Sequence, residues 1–92
     1  MKKLHPTSQF KRDFKKYRLF PSKVKALEKI LNLLIHEEAI PKEYNPHTLK
    51  GQYEGCMECH IEGDYLLIWI EKDIIDLVRL GSHSELFHKN RK

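Results

Sequence analysis

The stretch Cys56-Met57-Glu58-Cys59-His60-Ile61-Glu62-Gly63-Asp64-Tyr65-Leu66-Leu67-Ile68-Trp69-Ile70 decides the fold. Its first seven residues alternate with a period of two. Met57, Cys59 and Ile61 fall on one face, and Cys56, Glu58, His60 and Glu62 on the other, which is the pattern of a β-strand. Gly63-Asp64 suits a two-residue hairpin turn, because glycine at the first central position permits positive φ. Residues 65–70 are apolar on both faces, as a central strand is. Lys72-Asp73 turns the chain again, and residues 74–80 form a third long strand. Two adjacent hairpins predict an antiparallel sheet.

Upstream the period becomes helical. Phe10, Phe14 and Tyr17 recur at i, i+4 and i+7, an aromatic stripe opposite the basic residues of the same segment. Pro21-Ser22 breaks that helix and starts a second, in which Val24, Leu27, Ile30, Leu31 and Leu34 keep helical spacing until about His36. Pro41 and Pro46 bound a connecting loop, and residues 3–5 suit a short edge strand. Downstream, Ser82 and Glu85 form S-x-x-E, a capping box opening a short helix over residues 83–88. The expected fold class is α+β: two N-terminal helices packed on one face of a small antiparallel β-sheet, with a short C-terminal helix. At 92 residues the chain reads as a single domain, 1–92.

Composition excludes several classes. With 40% hydrophobic and 33% charged residues, the chain is too apolar for a disordered tail. The apolar run at 65–70 is far short of the roughly 20 residues of a membrane helix. Lys2 and Lys3 begin like a signal peptide, but Lys11, Arg12 and Asp13 arrive before any apolar region. The expectation is a cytoplasmic protein with reduced cysteines and no membrane contact. The net charge of +4 is unevenly spread. Residues 1–25 hold nine lysines and arginines against one acid, Asp13, so that segment is +8 and suits a polyanion.

Cys56-Met57-Glu58-Cys59-His60 matches C-x-x-C-H, the haem attachment pattern. Three residues apart in an alternating strand, the two thiols point to opposite faces and cannot reach one porphyrin edge. The same geometry argues against zinc, and a thioredoxin-like site would need a strand-to-helix context. Cys59 reads as a small core residue.

The remaining chemistry is rich in histidine. His47 precedes the first long strand, His60 lies on its outward face, and Asp64 sits in the hairpin turn, where it could approach His60. Arg79 has the parity of Ile75 and Leu77, placing a charge on an apolar strand face. His83 opens the last helix, where free N–H groups attract phosphate. Phe87 lies one turn on. Acids, bases and a cation occur together with no metal or nucleotide motif, so neither metal nor cofactor is expected. The set suits cleavage of RNA. A base takes the ribose 2′-OH proton, a guanidinium steadies the phosphate, and an acid protonates the leaving 5′-oxygen. Histidine suits both proton roles, its ordinary pKa being about 6.5.

Three segments carry a resemblance: His47-Thr48-Leu49-Lys50-Gly51-x-Tyr53-x-Gly55, then Glu58-Cys59-His60-Ile61-x-x-Asp64-Tyr65-Leu66-Leu67-Ile68-Trp69, then Arg79-x-Gly81-Ser82-His83-Ser84-x-Leu86-Phe87. With the N-terminal Phe-Lys-Arg-Asp-Phe-Lys-Lys helix, the chain resembles the YafQ type of toxin in the RelE/ParE superfamily of bacterial toxin–antitoxin systems. The resemblance implies a RelE-like fold and a ribosome-dependent, metal-independent mRNA interferase. It implies a cognate acidic antitoxin, and the 70S ribosome with mRNA in its decoding site, as partners. It implies catalytic roles for His47, His60, Asp64 and His83, supported by Arg79 and Phe87, with Glu58 at a position where the family carries an acid. Among these, His60 oriented by Asp64 suits the base, His83 the acid, and His47 and Arg79 the phosphate. Lys11, Arg12, Lys15 and Lys16 lie off the aromatic stripe and suit ribosomal RNA, while Phe87 suits stacking on a base. Two other readings are a ParE-like toxin that poisons gyrase and a non-catalytic basic RNA-binding module; proton-transfer groups are superfluous to both.

Overall fold

The computed structural model describes residues 1–87. In chain order they form β1 (Lys3–Pro6), α1 (Ser8–Tyr17), α2 (Pro21–Ile35), β2 (His47–Thr48), β3 (Met57–Glu62), β4 (Tyr65–Ile70), β5 (Ile74–Gly81) and α3 (His83–Leu86), with 3₁₀ turns at Lys42–Tyr44 and Gly51–Tyr53. The expected helix over 83–88 thus ends at Leu86, and residue 88 lies outside the described residues. Thr7 caps α1 by accepting the N–H of Phe10 at 3.2 Å. Pro21 starts α2 at a position where its missing N–H costs nothing.

The strands form one sheet in the order β1-β5-β4-β3-β2. The most apolar strand, β4, is central, as its two-faced hydrophobicity requires. Gly63, at φ +38°, makes the tight β3–β4 turn. The expected edge strand exists, but it pairs parallel with β5, Leu4 opposite Ile75, whereas the other pairs are antiparallel. Helices α1 and α2 carry the chain from β1 to β2 at the far edge, and the antiparallel meander β2–β5 returns it to lie beside β1 in the same direction.

Two bulges change which side chains share a face. β3 pairs His60 with Leu66 and then Glu62 with Tyr65, so Ile61 is the extra residue. Glu62 therefore leaves the His60 face and meets Lys23 of α2 at 2.8 Å. In β5, Leu77 pairs with Trp69 and Arg79 with Ile68, making Val78 the extra residue. Arg79 therefore lies on the face opposite Ile75 and Leu77, not with them as strict alternation implied.

Helices α1 and α2 cover one face, where Phe10, Leu27, Ile30 and Leu34 pack on Cys59, Leu67, Trp69, Ile75 and Leu77. The second face is not bare. Leu86 of α3 packs there with Cys56, Leu66 and Ile68, flanked by Tyr53 and Phe87. The two N-terminal helices thus cover one face, as expected, and the short C-terminal helix takes the other. Beyond Pro6 the edge of β5 is satisfied by α1 instead of a strand. Thr7 Oγ1 donates to the Leu77 carbonyl at 2.8 Å, and Leu80 N–H donates to Asp13 Oδ2 at 2.9 Å.

The expected capping box is present: Ser82 Oγ accepts the Glu85 N–H, and Glu85 Oε1 accepts the Ser82 N–H at 2.8 Å. Glu85 also receives the Tyr17 hydroxyl and lies 3.4 Å from Lys16, so α3 is fastened to α1. That hydroxyl, with the Ser82 N–H next, holds the Glu85 carboxyl down at about 2. The depressed value means that its contribution is complete above the ordinary carboxylate range and fades as pH falls toward 2. Thermal unfolding of Glu85→Gln should therefore lie below wild type at pH 6, with the gap closing by pH 2. A gap constant with pH would mean that the carboxylate charge contributes nothing.

Candidate active site

Register places the chemical groups before any side chain is considered. His47 pairs with Glu58, Glu58 with Ile68, and Ile68 with Arg79, so one transverse row crosses β2, β3, β4 and β5. Cross-strand neighbours project to the same face. The next row is His60, Leu66 and Gly81. Strands about 4.8 Å apart put His60 and Gly81 roughly 10 Å from each other, and α3 begins immediately after Gly81. Gly81 sits at φ +156°, and a Cβ there would lie 2.6 Å from Glu85 Oε1, so a side chain would be strained and would displace the carboxylate that caps α3.

Glu58 is the organising group at the β2–β3 end. Only 3% of its side chain is exposed, and Oε1 faces His47 Nε2 at 3.0 Å and His60 Nε2 at 4.0 Å. Its other oxygen is buried without a partner among the described residues. The His47 Nδ1 lies 2.7 Å from the Asn45 carbonyl, which requires a proton on Nδ1 and turns Nε2 toward Glu58. The two imidazole rings stand 6.3 Å apart. Each is about 37% exposed, half in the fold and half available to a ligand. Alternation had already put Glu58 and His60 on one face; the packing adds that Glu58 serves both histidines.

Asp64 is engaged elsewhere than sequence spacing implied. Its Oδ1 accepts the backbone N–H of His83 at 2.7 Å, tying the β3–β4 turn to the start of α3. Asp64 therefore holds the backbone at His83, and Glu58 is a carboxylate that lies beside His60. The amides expected to attract phosphate at this helix start are partly spent, the His83 N–H on Asp64 and the Glu85 N–H on Ser82. The His83 ring is exposed and packs on Phe87 at 4.7 Å between centroids. Phe87 in turn meets Tyr53 edge-on at 5.4 Å.

Arg79 is not a free cation. Its Nε and Nη2 donate to the two oxygens of Asp13 at 2.8 and 3.2 Å, and Nη1 donates to the Tyr53 hydroxyl at 3.0 Å. Tyr53 passes the connection on, donating to the Leu86 carbonyl at 2.8 Å. Lys11, Arg12, Lys15 and Lys16 are exposed on α1, and Lys16 is the one that reaches toward α3 through Glu85.

Cys56 and Cys59 are both free and buried, in the packing of opposite faces of the sheet. Burial pushes the Cys59 thiol up to about 12, the state of an inert core residue.

A sequence model described as "Bacterial toxin of type II toxin-antitoxin system, YafQ" matches residues 2–88. The mRNA interferase toxin YafQ of Escherichia coli K12 is 29% identical over 83 residues, 88% of this chain and 90% of that one. The putative toxin YafQ of Haemophilus influenzae is 33% identical over 60 residues, a match spanning 59% of its length. Among solved structures, a metal-bound toxin from Helicobacter pylori superposes with a TM-score of 0.84 at 36% identity, covering 95% of this chain and 100% of that one. Among the described residues here, no group of three or more His, Cys, Asp or Glu side chains is arranged to hold a metal. The E. coli DinJ–YafQ complex contains a chain that matches with a TM-score of 0.84 at 27% identity, over 95% of this chain and 99% of that one. With the family model spanning nearly the whole sequence and the fold agreeing, the chain belongs to the YafQ family of bacterial toxins of type II toxin–antitoxin systems.

Proposed function

We propose that this toxin is a ribosome-dependent mRNA interferase that cuts mRNA in the decoding site without a metal ion. The observation that carries this reading is the pair of rows on one sheet face. They bring His47, Glu58, His60 and Arg79 together and lead directly into His83 and Phe87. His60, backed by Glu58, takes the proton of the ribose 2′-OH. The 2′-oxygen bonds to phosphorus, the bond to the 5′-oxygen breaks, and His83 protonates that leaving oxygen. His47 and the two N–H groups of Arg79 left over among the described residues face the phosphate, and Phe87 stacks a base, a contact worth about 1–3 kcal/mol. The products are a 2′,3′-cyclic phosphate and a 5′-hydroxyl.

The test is purified protein on programmed ribosomes, with the new RNA ends characterised chemically. Cyclic phosphate and 5′-hydroxyl ends are expected. A 5′-phosphate would overturn the 2′-OH mechanism, and intact mRNA beside inhibited gyrase would overturn the function.

The exposed cations of α1 hold the toxin on ribosomal RNA. Neutralising Lys11, Arg12 and Lys15 together should weaken ribosome binding, and each lost phosphate contact should flatten its salt dependence by about 0.7 to 0.9 in log–log slope. Unchanged affinity and slope would place the RNA contact elsewhere. The same +8 segment suits an acidic antitoxin that folds on binding and covers the histidine-bearing face. E. coli YafQ has been solved in a toxin–antitoxin complex with DinJ. The site of action is the cytoplasm, where its ribosomes are.

A further inference from the structure

We propose that Asp13 is a positioning residue for RNA cleavage, fixing the Arg79 guanidinium and the backbone that leads to His83. The proposal rests on the reading of Arg79 as the phosphate-facing cation. Asp13 is the one acid in the basic N-terminal segment, and at 3% exposure it is buried where a charged side chain needs a strong reason to be. Four donors converge on its carboxylate: Gln9 Nε2 at 3.2 Å, Leu80 N–H at 2.9 Å, and Arg79 Nε and Nη2.

The count of donors defines what this achieves. A guanidinium has five N–H groups. Two go to Asp13 and one to the Tyr53 hydroxyl, leaving one on each terminal nitrogen. Each of those two hydrogens then has a fixed direction, because the planar fork is held on two sides. Unpaired, Arg79 would attract phosphate more strongly and from many orientations. Paired, it gives up net charge and gains a fixed aim before substrate arrives. The same carboxylate binds Leu80 N–H, just after the Val78 bulge and two residues before Ser82 caps α3. One buried acid thus sets both the cation and the approach of the acid-bearing helix.

The test separates rate from affinity in Asp13→Asn, a change of similar shape. Removing a negative charge beside a basic surface should leave ribosome affinity equal or tighter. Single-turnover cleavage should fall about 10²-fold, the scale of a misplaced reacting group. On an Arg79→Ala background the same change should have little further effect, because its principal target is gone. A merely structural role would lower affinity and rate together as folded protein is lost, and would add to Arg79→Ala. Thermal unfolding reports the folded fraction. If Asp13→Asn does not fold, Asp13→Glu, which keeps the charge but shifts the carboxylate by one methylene, takes its place under the same criteria. Normal cleavage by Asp13→Asn with slow cleavage by Arg79→Ala would overturn the positioning role alone. Normal cleavage by Arg79→Ala would overturn the phosphate reading and the positioning role with it.

Discussion

His83→Gln should cleave mRNA about 10²- to 10⁴-fold more slowly than wild type in single turnover, the usual contribution of a general acid. Glutamine keeps a hydrogen-bonding side chain of similar length but cannot carry a transferable proton at neutral pH. The fold has no reason to follow. The helix start is held by Ser82, Glu85 and the bond from Asp64 to the backbone of residue 83, all indifferent to the imidazole. Only the packing of the ring on Phe87 is lost, worth about 1 kcal/mol. Ribosome affinity and melting temperature should therefore change little. Wild-type cleavage rates would remove His83 from the chemistry, and a collapsed melting temperature would make it a structural residue.

Trp69→Ala should do the reverse, ruining stability while touching none of the proton-transfer groups. Trp69 is 2% exposed at the centre of the helix-covered face, opposite Met57 on one side and Leu77 on the other. Truncating a buried tryptophan costs about 3–5 kcal/mol, a large share of the roughly 5–15 kcal/mol that holds a domain folded. For a chain of this size the melting temperature should drop on the order of 20 °C. The indole N–H also donates to Glu71 at 3.0 Å, so its loss frees a carboxylate that Lys2 shares. Cleavage should decline only in proportion to the unfolded fraction and recover on cooling. A drop in melting of only a few degrees would show that α2 and the sheet close over the gap.

The contrast between these variants follows how the molecule was legible. Alternation in β3 and the run in β4 give the sheet, and Ser82 with Glu85 gives α3, because each is a local pattern with one physical solution. The bulges at Ile61 and Val78 were not legible. An inserted residue in a strand leaves the apolar spacing nearly intact while reversing every side chain beyond it, which is why strict alternation puts Glu62 and Arg79 on the wrong faces. The parallel direction of β1 was hidden for another reason: four residues carry no periodicity that reports orientation. Asp13 did leave a signal. Positions 10, 13, 14 and 17 form one helical stripe, so an acid among Phe10, Phe14 and Tyr17 was already facing inward. Glu58 and the histidines were legible as a set, but the partner of Asp64 was not. Which backbone group a turn carboxylate meets depends on where a helix nineteen residues later begins.

The two thiols of the C-x-x-C-H segment have a use that follows from their placement back to back. Cys56 is 7% exposed on the layer beneath α3, and Cys59 is 0% exposed beneath α1 and α2. A small alkylating reagent reaches Cys59 only when α1 and α2 lift, and reaches Cys56 fastest when the layer formed by α3 and Tyr53 opens. The labelling half-times of Cys56 and Cys59 are thus independent clocks for the two sides of one sheet. If α3 lifts by itself to admit RNA, Cys56 should be modified in a burst that leaves Cys59 untouched, and the chain carries its own footprinting probes without a single substitution.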